Sequence, residues 1–338
     1  MTLILILILI SILGQGPLAA PPPLVHHRAQ RFTTEVDLTT LFGRPDAATV
    51  DAAFAQVLAE LDRIDALVSE WRPDTVVSRI NREAGGAPVA VPEELFDLLQ
   101  RARGLAELTE GAFDPTFATL AHLWRLQPAA DFRPPAAAAV TALLPAVGYA
   151  HLELDAKAHT ARLSDARTRI GLGAIAKGYA VERAVALLRA AGVTDFCLRI
   201  GGELYCAGRK APGAPWTVGV RDPRAAEALV ATLPIADAAF TTSGDYERFA
   251  DFEGVRYHHI LDLRTGFPAR GVRSVTILAR NPTEADALST GVFVLGVEKG
   301  LALVERLPAA EAVVVDDAGA VHVSRGLRDA LNLVEPKE

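Results

Sequence analysis

The stretch from Gly171 to Gly208 reads GLGAIAKGYAVERAVALLRAAGVTDFCLRIGGELYCAG, and its pattern decides the fold. A glycine-rich turn opens it. Apolar residues then recur at helical spacing from about Ala176 to Ala191, which predicts a helix packed along one face. Two short strand-like runs follow, near 195–200 and 203–208, with only Gly201-Gly202 between them. That spacing makes a hairpin and leaves no room for a crossover helix. The same texture continues outward. Strands are expected near 216–220, 228–233 and 273–279, then a helix over about Thr283 to Leu307 and closing strands at 311–315 and 320–323. Upstream, strands are expected at 150–154 and 160–163. Asp46 N-caps a long amphipathic helix through Val50, Phe54, Val57, Leu61 and Ile64. Pro92 opens another helix, which Gly111 closes. Residues 125–147, rich in Ala and Pro, read as a peripheral insertion with one short helix. The expected fold class is α+β or mixed α/β. It is a single integrated domain over residues 31–330, with mixed sheets and flanking helices in place of a doubly wound parallel sheet.

Composition excludes several classes. The chain has 338 residues, 34 Lys+Arg against 41 Asp+Glu, and is 50% hydrophobic and 22% charged. That mix is not disordered, collagenous or coiled-coil. A mild acidic balance without a Lys/Arg run argues against a nucleic-acid partner. Two cysteines, Cys197 and Cys206, exclude a disulfide-dense scaffold and a cysteine-based zinc site. They either bridge or lie buried as free thiols, and the second reading carries more weight here. Leu3 to Leu13 is almost purely Leu and Ile, too short to span a bilayer and suited to a secretory signal over residues 1–20. Pro21-Pro22-Pro23 onward, residues 21–30, reads as a Pro-rich linker.

Five segments carry chemistry. Around Trp71, Arg72 and Asn81 an aromatic ring stands near hydrogen-bonding groups, as a planar ligand requires. Gly111-Ala112-Phe113-Asp114-Pro115-Thr116 reads as a helix end followed by an Asp-capped turn. Gly171 to Ala180 has small residues and Lys177 at a helix start, a phosphate-loop signal that is neither a Walker loop nor a dinucleotide fingerprint. His258 and His259 adjoin on a strand, point to opposite faces and so cannot chelate one ion; one of them is a candidate base. Asp286 and Thr290 stand four apart on a helix, an oxygen-only pair that suits Mg²⁺ and not Zn²⁺.

In this order the segments resemble the FAD:protein FMN transferase family, usually called ApbE. The matching elements are S-x-W-R-P-D-x-x-x-S-R-I-N at 69–81, G-A-F-D-P-T at 111–116, L-G-A-I-A-K-G-Y-A at 172–180, G-G-E at 201–203, T-S-G-D-Y at 242–246, H-I-L-D-x-R-T-G at 259–266 and A-D-A-L-S-T at 285–290. The resemblance implies an ApbE-like, Mg²⁺-dependent transferase. Such an enzyme moves FMN from FAD to a Ser or Thr hydroxyl of a target protein and releases AMP. It implies an acceptor among exported or membrane-bound electron-transport subunits, and therefore a periplasmic or cell-envelope location. Carried over by position, Ala174, Asp286 and Thr290 hold the metal with Ser289 close by. Trp71, Ala112, Phe113, Asp114, Lys177 and Ile260 contact FAD with Asn81 nearby. His259 is the base for the acceptor hydroxyl or a transition-state contact. Lesser readings are a FAD pyrophosphatase and a non-catalytic FAD-binding protein. Several positions depart from the pattern. Gly171 stands where the family has Asp, which removes one polar contact to FAD; Phe32-Thr33-Thr34 replaces Met-Gly-Thr; Leu263 replaces Pro; and Ser289 stands where some relatives have a second Asp.

Overall fold

The computed structural model describes residues 23–41, 43–124, 126, 132–210 and 214–334. The signal peptide expected over 1–20 lies outside the described residues.

The centre is an antiparallel sheet of eight strands. In chain order these are β1 (Leu24–Arg31), β2 (Thr34–Leu41), β6 (Phe196–Ile200), β7 (Glu203–Ala207), β10 (Ala238–Gly244), β15 (Val272–Ala279), β16 (Ala310–Asp316) and β17 (Val321–Val323), and they lie side by side in that same order. Three smaller strand groups fill the intervals. They are β3 (Val89–Ala90), β4 (Leu152–Asp155) and β5 (Thr160–Leu163); β8 (Trp216–Arg221) and β9 (Leu229–Ile235) with β18 (Asn332–Leu333); and the hairpins β11 (Phe249–Phe252)–β12 (Val255–His258) and β13 (Leu261–Asp262)–β14 (Phe267–Pro268). The helices are α1 (Ala47–Val68), α2 (Val76–Arg82), α3 (Glu93–Leu108), α4 (Ala118–Trp124), α5 (Ala137–Leu143), α6 (Ala176–Ala190) and α7 (Pro282–Val304).

Side-chain alternation splits the central sheet into two buried faces. Phe196, Leu198, Ile200, Ala239, Val275, Ile277 and Val314 point into the core shared with α1, α3, α6 and α7. Cys206, Phe240 and Val313 point the other way, against Trp216, Val218, Leu233 and Ile235 of the β8–β9 sheet. The result is three layers: helices, central sheet, small sheet. Helix α1 starts where Asp46 accepts the Thr49 N–H at 3.1 Å, and it buries Val50, Ala53, Phe54, Val57, Leu61, Ile64 and Val68 along one stripe. Helix α7 is apolar nearly all round because it is packed on several sides. It has the length and hydropathy of a membrane span but sits in the core.

Three expectations are corrected. Residues 24–30, expected as linker, belong to β1, which pairs with β2 from Leu24↔Leu41 to Arg31↔Thr34. The alternation L-V-H-H-R-A-Q-R carried a strand signal that the neighbouring prolines obscured. Residues 125–147 are not peripheral where described: Phe132 and Val140 join Leu120, Trp124 and Leu261 in a third core cluster. The Trp124 indole N–H donates to the Gly266 carbonyl at 3.0 Å, which ties this lobe to the β13–β14 hairpin. Finally, Cys197 and Cys206 are disulfide-bonded and not free thiols. They oppose each other directly in the β6–β7 register with Cα atoms 4.1 Å apart.

Candidate active site

Helix α6 has no side-chain cap of its own at Ile175. The cap comes from α7: Asp286 accepts the Gly178 N–H at 2.8 Å. The approach is so close that a Cβ on residue 178 would stand 2.3 Å from the Pro282 carbonyl oxygen and 2.6 Å from the Asp286 Cβ. Glycine is therefore required there. A protein carboxylate thus takes one N–H of the α6 N-terminus, where the sequence carries a phosphate-loop signal; anions of either origin satisfy such groups.

One residue before that glycine, Lys177 turns its ammonium to the carboxylate of Glu203, the first residue of β7. Glu203 is 2% exposed and its second oxygen, Oε2, is buried without a hydrogen-bond partner. Asp286 is 3% exposed. Burial raises the pKa of both acids, and the nearby Lys177 charge pulls each back. Burial would lower Lys177, but the facing Glu203 and Asp286 charges outweigh it and hold the ammonium protonated. Two acids and one base meet here, one carboxylate more than there is ammonium to pair it.

The remaining donors are oxygens. Ser243 at the end of β10 hydrogen-bonds the Ser289 hydroxyl at 2.8 Å and lies 3.4 Å from that of Thr290. Ser289 is fully buried and donates to the Asp286 carbonyl at 2.8 Å, so its hydroxyl is committed within α7. Thr290 is half-buried, and the Ala174 carbonyl receives no backbone N–H among the described residues. Among the described residues no group of three or more His, Cys, Asp or Glu converges. The Asp286 carboxylate, the Thr290 hydroxyl and the Ala174 carbonyl are hard oxygen donors, the ligand chemistry that Mg²⁺ takes.

His258 and His259 face opposite ways, as the strand period demands. His258 is buried against Phe293 and holds backbone on both sides, its Nε2 bonded to the Ala269 carbonyl at 2.9 Å and its Nδ1 to the Ile260 N–H at 3.3 Å. His259 follows β12, its N–H donating to the Arg248 carbonyl at 3.1 Å. Its side chain is exposed to solvent. Crowding by the surrounding protein, then the positive charge of Arg248, hold the ring below the usual histidine range and hence neutral.

The rim divides sharply. Trp71 is 73% exposed and edge-on to His122, with ring centroids 5.9 Å apart, so its indole face is open for stacking. Asn81 spends both ends of its amide on Ile170, donating to its carbonyl at 2.9 Å and accepting its N–H at 2.8 Å. It thereby holds the loop that leads to Lys177. The Phe113 ring is buried in the core and offers no stacking surface. Asp114 accepts the Thr116 N–H and hydroxyl and the Tyr149 N–H, at 2.8, 2.7 and 2.6 Å. Ile260 is buried, its carbonyl engaged by Ala269. Ala112 is half-buried at the same turn. At Gly171, Glu70 Oε1 lies 2.9 Å from where a Cβ would stand, which brings a half-buried carboxyl beside the position. Burial raises the pKa of Glu70, against backbone hydrogen bonds and the Arg248 charge.

Sequence reasoning gave no role to Glu203, Ser243, Glu70 or Arg248. Glu203 had a usable signal, an acid opening the otherwise apolar strand E-L-Y-C-A. Arg248 had none, because its neighbours come from elsewhere in the chain.

The profile described as the ApbE family matches residues 32–314. The chain is 36% identical over 332 residues to the FAD:protein FMN transferase of Treponema pallidum, covering 92% of this chain and 90% of that protein. It is 31% identical to the FAD:protein FMN transferase of Vibrio cholerae, covering 86% and 87%. Among solved structures, an ApbE protein from Thermotoga maritima superposes with a TM-score of 0.82 at 33% identity, covering 91% of this chain and 99% of that one. The flavin transferase ApbE from Vibrio cholerae superposes with a TM-score of 0.79 at 29% identity, covering 92% and 100%.

Proposed function

Because the chain belongs to the ApbE family and is a FAD:protein FMN transferase, we propose that it transfers FMN to a serine or threonine hydroxyl of an exported acceptor, with Mg²⁺ as metal and AMP as second product. The observation that carries this reading is the joining of two half-sites. A buried acidic cradle around Lys177 lies within electrostatic reach of a neutral, solvent-open histidine.

The acceptor hydroxyl oxygen attacks the FMN phosphorus of FAD and forms a new P–O bond. The bridging P–O bond to the AMP half breaks, and AMP leaves with the electron pair. The hydroxyl proton passes to the His259 imidazole, which is neutral and therefore able to accept it. Lys177 stands anchored by Glu203, so its charge is fixed in place before substrate arrives, which is the condition for electrostatic stabilisation without reorganisation. Asp286, Thr290 and the Ala174 carbonyl would hold Mg²⁺, which when bound offsets charge on phosphoryl oxygens. Ser289 supports this set through Ser243 and the Asp286 carbonyl. Trp71 is the face on which a flavin or adenine ring stacks. Asn81, Asp114, Phe113 and Ile260 shape the wall and hold the loops, with Ala112 beside them.

An exported location is supported by the apolar leader and by the Cys197–Cys206 bridge, since disulfides persist in oxidising compartments. An electron-transport subunit near the membrane would be the acceptor. The test is mass spectrometry of an acceptor domain incubated with the protein and FAD, with Mg²⁺ or with EDTA. Covalent FMN on Ser or Thr, lost in EDTA, is expected. Free FMN without labelling would instead identify a FAD pyrophosphatase.

A further inference from the structure

The chain is rich in arginine, and many of its guanidinium groups are spent on carboxylates. Arg224 is typical: it grips Asp245 with two bonds of 2.8 and 2.7 Å. Arg248 is different. It is exposed, and among the described residues its guanidinium forms no ion pair or side-chain hydrogen bond.

Its placement follows from register. In the β11–β12 hairpin Phe249 opposes His258, and the ladder runs one step further through the His259 N–H to Arg248 carbonyl bond. The bond brings Arg248 and His259 opposite each other at the end of the ladder. His258 fills the opposite, buried face. The guanidinium charge reaches His259, Lys177 and Glu70, groups contributed by three other parts of the site.

We infer that Arg248 is a second protein cation that grips the diphosphate of FAD, on the side of the site occupied by His259. The inference rests on the transferase reading above. Charge balance supports it. With both acids ionised, as a bound cation would hold them, Glu203 and Asp286 exceed Lys177 by one negative charge, and a diphosphate diester brings two more. A divalent metal leaves the assembly one positive charge short of neutral, and Arg248 supplies it. The planar guanidinium presents paired N–H donors that match two phosphate oxygens, which an ammonium already held by Glu203 does not. A cation next to His259 also meets the phosphoryl oxygens where the acceptor hydroxyl approaches, the place where charge shifts during transfer.

Intrinsic flavin fluorescence tests this without turnover. The affinities of the wild-type protein, R248Q and R248K for FAD and for riboflavin, which lacks the diphosphate, are measured in EDTA. FMN transfer with Mg²⁺ is measured on the same preparations. We expect R248Q to bind FAD about tenfold more weakly with riboflavin affinity unchanged, and to lose roughly 10²-fold in kcat/KM, about the cost of losing one charge-stabilising donor. R248K should fall between the two. Equal FAD affinity in wild type and R248Q would overturn the inference. So would a parallel loss for riboflavin, which would make Arg248 merely structural. The outcomes separate from failure of the transferase reading: if the wild-type protein labels no acceptor, that reading falls, while the FAD-to-riboflavin comparison still judges the diphosphate contact.

Discussion

Asp114 and Asp286 are both buried aspartates, both raised in pKa by burial, and each accepts N–H groups at the start of a helical turn. The regions around them are nevertheless opposites. At Asp114 the polar valence is spent on the protein: one oxygen takes two bonds from Thr116, the other takes the Tyr149 N–H, and the adjoining Phe113 ring is in the core. Asp286 accepts backbone N–H groups from Gly178 and Lys177, but polar capacity is left on the groups around it. Its neighbours are a half-buried Thr290 hydroxyl, an anchored Lys177 and a Glu203 oxygen with no partner. Burial with a raised pKa therefore does not tell the two acids apart; what differs is the polar capacity left in the groups around each.

The strongest way to break this contrast is Asp286→Asn. The amide keeps an acceptor for the Gly178 N–H, so the fold should survive while the charge is lost. Transfer activity should fall about 10³-fold or more, read as acceptor labelling at saturating FAD. Near-normal labelling would place Asp286 with Asp114 among the structural acids.

His259→Ala should come next, slowing transfer by about 10²-fold while sparing FAD affinity. The pH profile sharpens the point. A base whose folded pKa is depressed stays active until the pH falls through that lowered value. Wild-type kcat/KM should therefore remain level on acidification through pH 6.5 and decline only below the ordinary histidine range. A limb centred at 6.5 would mean that the surroundings do not hold the ring neutral.

On the other side of the contrast, Asp114→Asn should act on stability. It removes the charge from three hydrogen bonds and should cost about 2 kcal/mol in denaturant unfolding, with kcat of the folded fraction unchanged. A selective loss of kcat would show that this turn does more than hold the wall. The smallest effect is expected at Trp71→Ala: an exposed stacking face contributes about 1 kcal/mol, so KM for FAD should rise roughly fivefold with kcat little altered.

Much of this was legible along the chain. Helices α1, α3, α6 and α7 followed from spacing and caps, the β6–β7 hairpin from its two glycines, and the opposed histidines from the strand period. Other parts were hidden by local signals that pointed elsewhere. Prolines masked β1, and an Ala/Pro-rich composition disguised the lobe that braces the β13–β14 hairpin. Phe113 and Ile260 sit within site motifs, yet their side chains complete the core. A motif records which segments gather at a site and does not say which atoms of a segment face it.

Sequence by itself determined the periods, the turns and the order of the motifs, because these depend on residues within a few positions of one another. Only the tertiary structure decided which polar groups meet. Gly178 and Asp286 are 108 positions apart, and Lys177 and Glu203 are 26 apart. The pairing of β7 with β10 and of β10 with β15, and the packing of α7 against α6, bring them together. That packing closes the α6 N-terminus with a protein carboxylate, leaves a Glu203 oxygen unpaired beside Lys177, and stands Arg248 across the strand from His259. No local spacing encodes those contacts, since each is a sum of long-range pairings that the chain acquires only when the sheet is complete.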